Sequence, residues 1–263
     1  EKRLEAGESL TIEPGSKYLK EGRLKVQPET EDGRILISSI SRNQGTPAYC
    51  GTIEIKEETE GLTIVNDLYL EDYLKTVVSS EMPASYELEA LKAQAVCART
   101  YAYRQILGNS YSQYGAHVDD STNFQVYNNT EESTRTTEAV NETYGQMLFY
   151  EGNAIEAFYF STSCGHTTDG SAWGGSGEKT PYLKARELRD RKEQLDLSSN
   201  AAFSEFIKNK DYPAYDQSYP MYRWETRIQA SDLEKKIPEL GTVTDVEITE
   251  RGPGGVAQKL TLY

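Results

Sequence analysis

Hydrophobic order is densest over residues 70–78, where Leu70, Tyr73, Leu74, Val77 and Val78 recur at helical spacings. Those spacings bring all five side chains to one helix face. Glu71 and Asp72 suit the first turn, where the helix dipole favours anions. Pro83 breaks the helix. A second helix is expected over residues 86–107, capped by Ser85 and stopped at Gly108. Its inward stripe, Leu88, Leu91, Ala95, Ala98 and Ala102, is small enough to let another element come close. Thr130 and Gly145 bracket a third helix over 131–144.

Strand patterns flank these helices. Residues 52–56 alternate, 57–61 form a turn and 62–65 form a second apolar run, which together predict a β-hairpin. A further hairpin joins 147–150 to 154–161 through Glu151-Gly152-Asn153. It runs into the turn-rich segment Ser161-Thr162-Ser163-Cys164-Gly165-His166, a setting that often carries function. Residues 186–220, charged and then rich in Ser, Tyr and Pro, read as a surface excursion with a short helix at 201–207. Ser231-Asp232-Leu233-Glu234 has the form of a capping box for a helix that stops before Pro238. Residues 243–248 and 256–262 pair around Gly252-Pro253-Gly254-Gly255. The expected fold is α+β: a helical pair packed on mixed β-hairpins, with a substrate groove. Residues 1–48 are an extended entry segment, and 49–263 form one domain that can divide into two lobes.

Composition narrows the function classes. A net charge of −14, from 42 acidic and 28 basic residues, repels a phosphate backbone and argues against a nucleic-acid partner. No apolar run approaches the length of about eighteen residues that a membrane span needs. The chain starts at Glu1 without an initiator Met or a charged-then-apolar leader, so a membrane link is expected only through an N-terminal anchor that the sequence lacks. Three cysteines, Cys50, Cys97 and Cys164, are too few and too scattered for a disulfide scaffold. Nineteen tyrosines suit sugar faces as well as an ordinary core.

One residue breaks the helical pattern. Continuing the series 70, 73, 74, 77, 78 by one turn reaches Glu81, a carboxyl where an apolar residue is expected. Desolvation and the negative end of the helix dipole both favour its protonated form, which suits a general acid. An ion pair with Lys92 or Arg99, or rotation into water, is equally consistent with the pattern. Glu87 and Glu89 lie in a first helical turn, where the anion is stabilised. A second constellation, Cys164-x-His166 with Asp169, is too small for a structural zinc site, which takes four ligands. No serine-hydrolase elbow, zincin motif or phosphate-binding glycine loop occurs.

The segments Asn66-x-Leu68-x-Leu70-Glu71-x-Tyr73-Leu74, Val77-Val78-x-x-Glu81-Met82-Pro83 and Glu89-Ala90-Leu91-Lys92-Ala93-Gln94-Ala95-Val96-x-Ala98-Arg99-Thr100-Tyr101-Ala102 closely resemble the stage II sporulation protein D family. Gln125-Val126-Tyr127, Ser161-Thr162-Ser163-x-Gly165-x-Thr167, Tyr182-Leu183 and the Trp224 region extend the resemblance over roughly residues 49–262. It implies a lytic transglycosylase that cuts peptidoglycan strands freed of stem peptides between N-acetylmuramic acid and N-acetylglucosamine. Glu81 would be its catalytic acid and then base. Such a reaction closes the sugar's own C6 hydroxyl into an anhydro ring and needs no second carboxylate, unlike the two-carboxylate hydrolases. The resemblance also implies substrate-binding roles for Gln125, Tyr127, Ser161 and Ser163, each of which could instead close its own loop. Arg99 could hold Glu81 or the lactyl carboxylate of muramic acid by a charge-assisted bond.

Some family members bind zinc through Cys and His before the Gln-x-Tyr motif. Here that stretch reads Val118-Asp119-Asp120-Ser121-Thr122-Asn123-Phe124, so no metal and no cofactor are expected. The expected partners are glycan strands and a cell-wall amidase, outside the cytoplasmic membrane. The alternatives are a non-catalytic glycan-binding module that modifies an amidase and, more distantly, a metal or thiol enzyme at Cys164.

Overall fold

A computed structural model describes residues 2–173, 180–190 and 195–263. The chain forms two compact units, residues 1–158 and 159–263. Residues 191–194 of the expected surface excursion lie outside the described residues.

The first unit opens with short strands β1 (Leu24–Val26), β2 (Ile35–Leu36) and β3 (Ala48–Tyr49), followed by the hairpin β4 (Thr52–Glu58) and β5 (Gly61–Asp67). The hairpin is in the expected place, and its register runs from Thr52↔Asp67 to Glu58↔Gly61. β1 adds to its free edge, giving the antiparallel order β1-β4-β5. Part of the entry segment is therefore woven into this unit. Gly51, between β3 and β4, has φ +73, and a Cβ there would lie 2.4 Å from the Asp67 carbonyl oxygen. Only glycine allows that approach.

Three helices follow: α1 (Leu70–Glu81), α2 (Leu88–Ile106) and α3 (Thr134–Glu142). They pack on one another. Leu74, Val77 and Val78 of α1, Leu91, Ala95 and Ala98 of α2, and Ala139 and Val140 of α3 are fully buried. Each larger aliphatic side chain so buried contributes about 1.5–3 kcal/mol. The alanine stripe lets the helices approach, as its spacing predicts.

Some element ends differ from the sequence reading. Glu87, not Ser85, precedes α2, because Pro83 to Tyr86 form a turn closed by Tyr86 N–H donating to the Pro83 carbonyl. α3 starts at Thr134 with Ser133 and Thr136 as a reciprocal capping box, while the Thr130 amide donates elsewhere. The second strand expected over 154–161 is reduced to β7 (Asn153–Ala154), paired with β6 (Phe149–Tyr150).

The second unit holds α4 (Asn200–Lys208), α5 (Ala230–Lys236) and the bulged hairpin of β8 (Val246–Arg251) and β9 (Ala257–Leu262). The stretch read as a surface excursion supplies part of this unit's core. Leu197, Phe206, Glu187 and Asp216 are all buried, with Tyr222 beside them in sequence. Charge hides this from the sequence: Glu187 is buried because Arg189 and Tyr212 both engage its carboxylate. The capping box expected at Ser231 does not form. Gln229 precedes α5, and the Glu234 carboxylate accepts from the Val243 amide at 2.9 Å. Among the described residues no helix is long and apolar enough to cross a membrane.

Candidate functional site

Glu81 is the last residue of α1. Met82 turns out into extended backbone (φ −136, ψ 132) while its N–H still donates to the Val78 carbonyl, so the chain leaves the helix on a fixed path toward Pro83. The Glu81 side chain is half-buried, and its Oε1 accepts from the Val126 amide at 2.7 Å. Among the described residues its other oxygen takes no hydrogen bond, and no cation pairs with it. Both cations considered as partners are engaged elsewhere. Lys92 pairs with Glu89 and Glu142, and Arg99 pairs with Glu71. Glu81 is thus a half-buried carboxyl held at one oxygen and open at the other.

The loop that holds it, residues 125–130, alternates inward anchors with outward-serving amides. Gln125 is fully buried. Its Nε2 donates to the Ala98 carbonyl at 3.3 Å, and its Oε1 accepts from the Tyr73 hydroxyl at 3.3 Å. Tyr127 stacks on Tyr73, with ring centroids 5.1 Å apart, and donates from its hydroxyl to Asn66 Oδ1 at 2.7 Å. Burial raises the Tyr127 phenol far above its ordinary value of 10, so it stays a donor. Asn128 occupies the left-handed region at φ 54, which Asn tolerates better than most residues. Gln44 Nε2 donates to its carbonyl and to its Oδ1, and Asn128 Nδ2 donates to the Ala48 carbonyl. The next two amides, Asn129 and Thr130, both donate to Ser80 Oγ, at 3.0 and 3.2 Å. The loop therefore grips the last turn of α1 through three backbone amides.

A further grip acts on the other side of Glu81. Arg135 of α3 donates from Nε to the Ala84 carbonyl at 2.9 Å and from Nη2 to the Tyr86 carbonyl at 2.7 Å. This fork fixes the link between α1 and α2. Neither Ser80 nor Arg135 stands out in the sequence. Their partners lie about fifty residues away in the chain, and no periodicity reports contacts of that kind.

The residues given binding roles from the sequence sit in different surroundings. Arg99 is 1% exposed, and Nε and Nη2 clamp the two Glu71 oxygens at 2.8 Å each. Its remaining donors reach the Val140 and Gln146 carbonyls, so it ties the helices together, and Glu81 is not among its partners. Gln125 and Tyr127 are buried in the same way, although the Tyr127 ring forms part of the wall of a cavity of ≈ 590 Å³. Tyr49, Ile53, Asn66, Tyr73 and Tyr111 line that cavity too, and Glu81 does not.

Ser161 and Ser163 belong to the second unit. Ser161 is exposed; Ser163 donates from its amide and hydroxyl to Asp216 Oδ2 at 2.8 and 2.9 Å, tying the loop to a distant segment, and its Oγ accepts from the Gly165 amide at 3.0 Å within the loop. In the same loop Cys164 has φ 64, and burial pushes its thiol up. His166 Nδ1 and Nε2 lie against the Thr167 and Leu195 carbonyl oxygens at 2.7 and 3.0 Å. Among the described residues no cluster of three or more His, Cys, Asp or Glu is placed to hold a metal.

Residues 58–150, the segment that contains α1, α2, α3 and the gripping loop, match the family model for the stage II sporulation protein. An uncharacterized protein of Brachyspira hyodysenteriae is 42% identical over 156 residues, 59% of this chain and 39% of its own length. The stage II sporulation protein D of Bacillus subtilis is 41% identical over 135 residues, 46% of this chain and 39% of its own. A Bacillus subtilis protein named amidase enhancer is 40% identical over 137 residues, 48% of this chain and 18% of its own. The matches thus span well under half of these relatives.

Proposed function

We propose, from the match of residues 58–150 to the stage II sporulation protein family and the 41% identity to a stage II sporulation protein D, that this chain belongs to that family and cleaves the glycan strands of bacterial peptidoglycan as a lytic transglycosylase. The observation that supports this reading is the state of Glu81: a carboxyl at a helix end, aligned by the Val126 amide, with no ion pair and one oxygen open among the described residues. In this reaction Glu81 first protonates the glycosidic oxygen between N-acetylmuramic acid and N-acetylglucosamine, and the bond from that oxygen to C1 of the muramic acid breaks, releasing N-acetylglucosamine with a free hydroxyl. As carboxylate it then takes the proton of the C6 hydroxyl, whose oxygen closes on C1 to give a 1,6-anhydro end. One carboxyl serves both steps because no water is activated, so no partner carboxylate is needed on the opposite face.

The setting is the cell envelope, and the substrate is a strand freed of its stem peptides. Incubating the protein with such strands and analysing the products tests the reading. Anhydromuramyl ends that vanish in Glu81→Gln support it, and intact strands overturn it. A second reading, a non-catalytic modifier of a cell-wall amidase, draws on the 40% identity to the protein named amidase enhancer. Strands that stay intact but co-sediment with the protein would favour it.

A further inference from the structure

Four serine and threonine hydroxyls in or next to the helices of the first unit donate to a carbonyl about one turn back: Thr76 to Tyr73, Ser79 to Lys75, Thr100 to Val96 and Thr143 to Ala139. Ser80 does not. A serine hydroxyl has one proton to donate and two lone pairs to accept with. Both lone pairs of Ser80 Oγ are taken by the amides of Asn129 and Thr130. With both acceptor directions fixed, the proton is confined to the remaining one, and among the described residues no protein acceptor meets it. The side chain is half-buried, so the site stays open to solvent.

Ser80 and Glu81 share the last turn of α1 and are held by the same loop. A strand that reaches the open Glu81 oxygen passes beside an oriented donor from which no described residue accepts. We propose that the Ser80 hydroxyl is a substrate-binding donor for the carbonyl oxygen of an N-acetyl group on the glycan. Among the neutral oxygens of a stem-free strand, the amide carbonyl is the strongest acceptor. This inference rests on the reading of Glu81 as acting on glycan strands.

The test uses the non-cleaving Glu81→Gln protein, so that complexes persist, and titrates it with stem-free strands that are either intact or chemically N-deacetylated. Adding Ser80→Ala is expected to weaken binding of acetylated strands by about threefold to tenfold, the range of one neutral hydrogen bond. Deacetylated strands should bind both proteins equally, and Ser80→Thr, which keeps the hydroxyl, should bind acetylated strands as before. Ser80→Ala also strips a partner from two loop amides, and a loop loosened in this way would weaken both kinds of strand alike. Equal losses on the two strands, or no loss at all, would overturn the contact. Product analysis with the unsubstituted protein separates the two proposals. The expected binding pattern without anhydro ends overturns the reaction and leaves the Ser80 contact standing, whereas no strand binding at all overturns both.

Discussion

The Val126 amide donates to Glu81 Oε1 at 2.7 Å across forty-five residues of chain. That single bond decides which carboxyl oxygen remains available. It also decides which substitution is informative: Glu81→Gln keeps an oxygen to accept from Val126 and replaces the open oxygen with an amide NH2, which neither gives nor takes a proton. Turnover of stem-free strands is expected to fall by about 10²–10⁴-fold. Unfolding free energy should stay within about 1 kcal/mol of the parent, as urea titration would report. A large loss of stability would mean that the carboxyl is structural.

Arg99 and Glu71 make the buried ion pair of the helical layer, with side-chain exposures of 1% and 19%. Arg99→Ala removes both charged donors from a largely buried carboxylate, and it takes one donor each from the Val140 and Gln146 carbonyls. A loss of about 3–5 kcal/mol is expected. Arg99→Lys should recover only part of it, because an ammonium cannot reproduce the bidentate fork. Denaturant midpoints of the two variants check both statements. An Arg99→Ala protein of parental stability would return Arg99 to the list of ligand-binding groups.

Arg135→Ala releases the link between α1 and α2 without touching the core, since the side chain is exposed. If the fork positions Glu81, turnover should drop about tenfold to a hundredfold while KM changes little. Strand binding in the Glu81→Gln background should be unchanged. A merely structural role would instead show as a lower melting temperature with normal turnover.

Glu54 on β4 gives the sheet a pH dependence. Its hydrogen bond to Lys25 of β1, supported by Arg23, holds the carboxyl below its ordinary value of 4.5. A carboxyl depressed in the folded state stabilises the protein above the unfolded pKa and loses that contribution as pH falls through the folded value. Stability relative to Glu54→Gln should therefore be constant near neutrality and shrink as pH drops below about 4.5. Urea midpoints of the two proteins between pH 7 and pH 3 would show it. Parallel curves would place the attachment of β1 on packing alone.

The parts of this molecule that the sequence announces are those set by local period. The series ending at Val78 fixes α1, its buried face and the position of Glu81 at its end, and the alternation over 52–65 fixes the β4–β5 hairpin. What it conceals is long-range polar pairing. Arg99 and Gln125 read as ligand-binding or loop-closing residues because the sequence cannot show that Glu71, Ala98 and Tyr73 engage them inside. Glu187 misleads in the same way, its charge hiding a buried stretch in the second unit. At α5 the local signal was present but lost to competition, since Glu234 caps the Val243 amide in place of its own helix start.

Asn128 shows how little of the segment matched by the family model is self-sufficient. Its left-handed bend aims three amides at α1, yet the bend is braced by Gln44 and Ala48, which precede the matched residues 58–150. Trimming the protein to the matched segment would leave the acid and its loop but remove their brace. The smallest fragment able to keep Glu81 in register is therefore longer than the sequence match suggests, and it must begin upstream of Gln44.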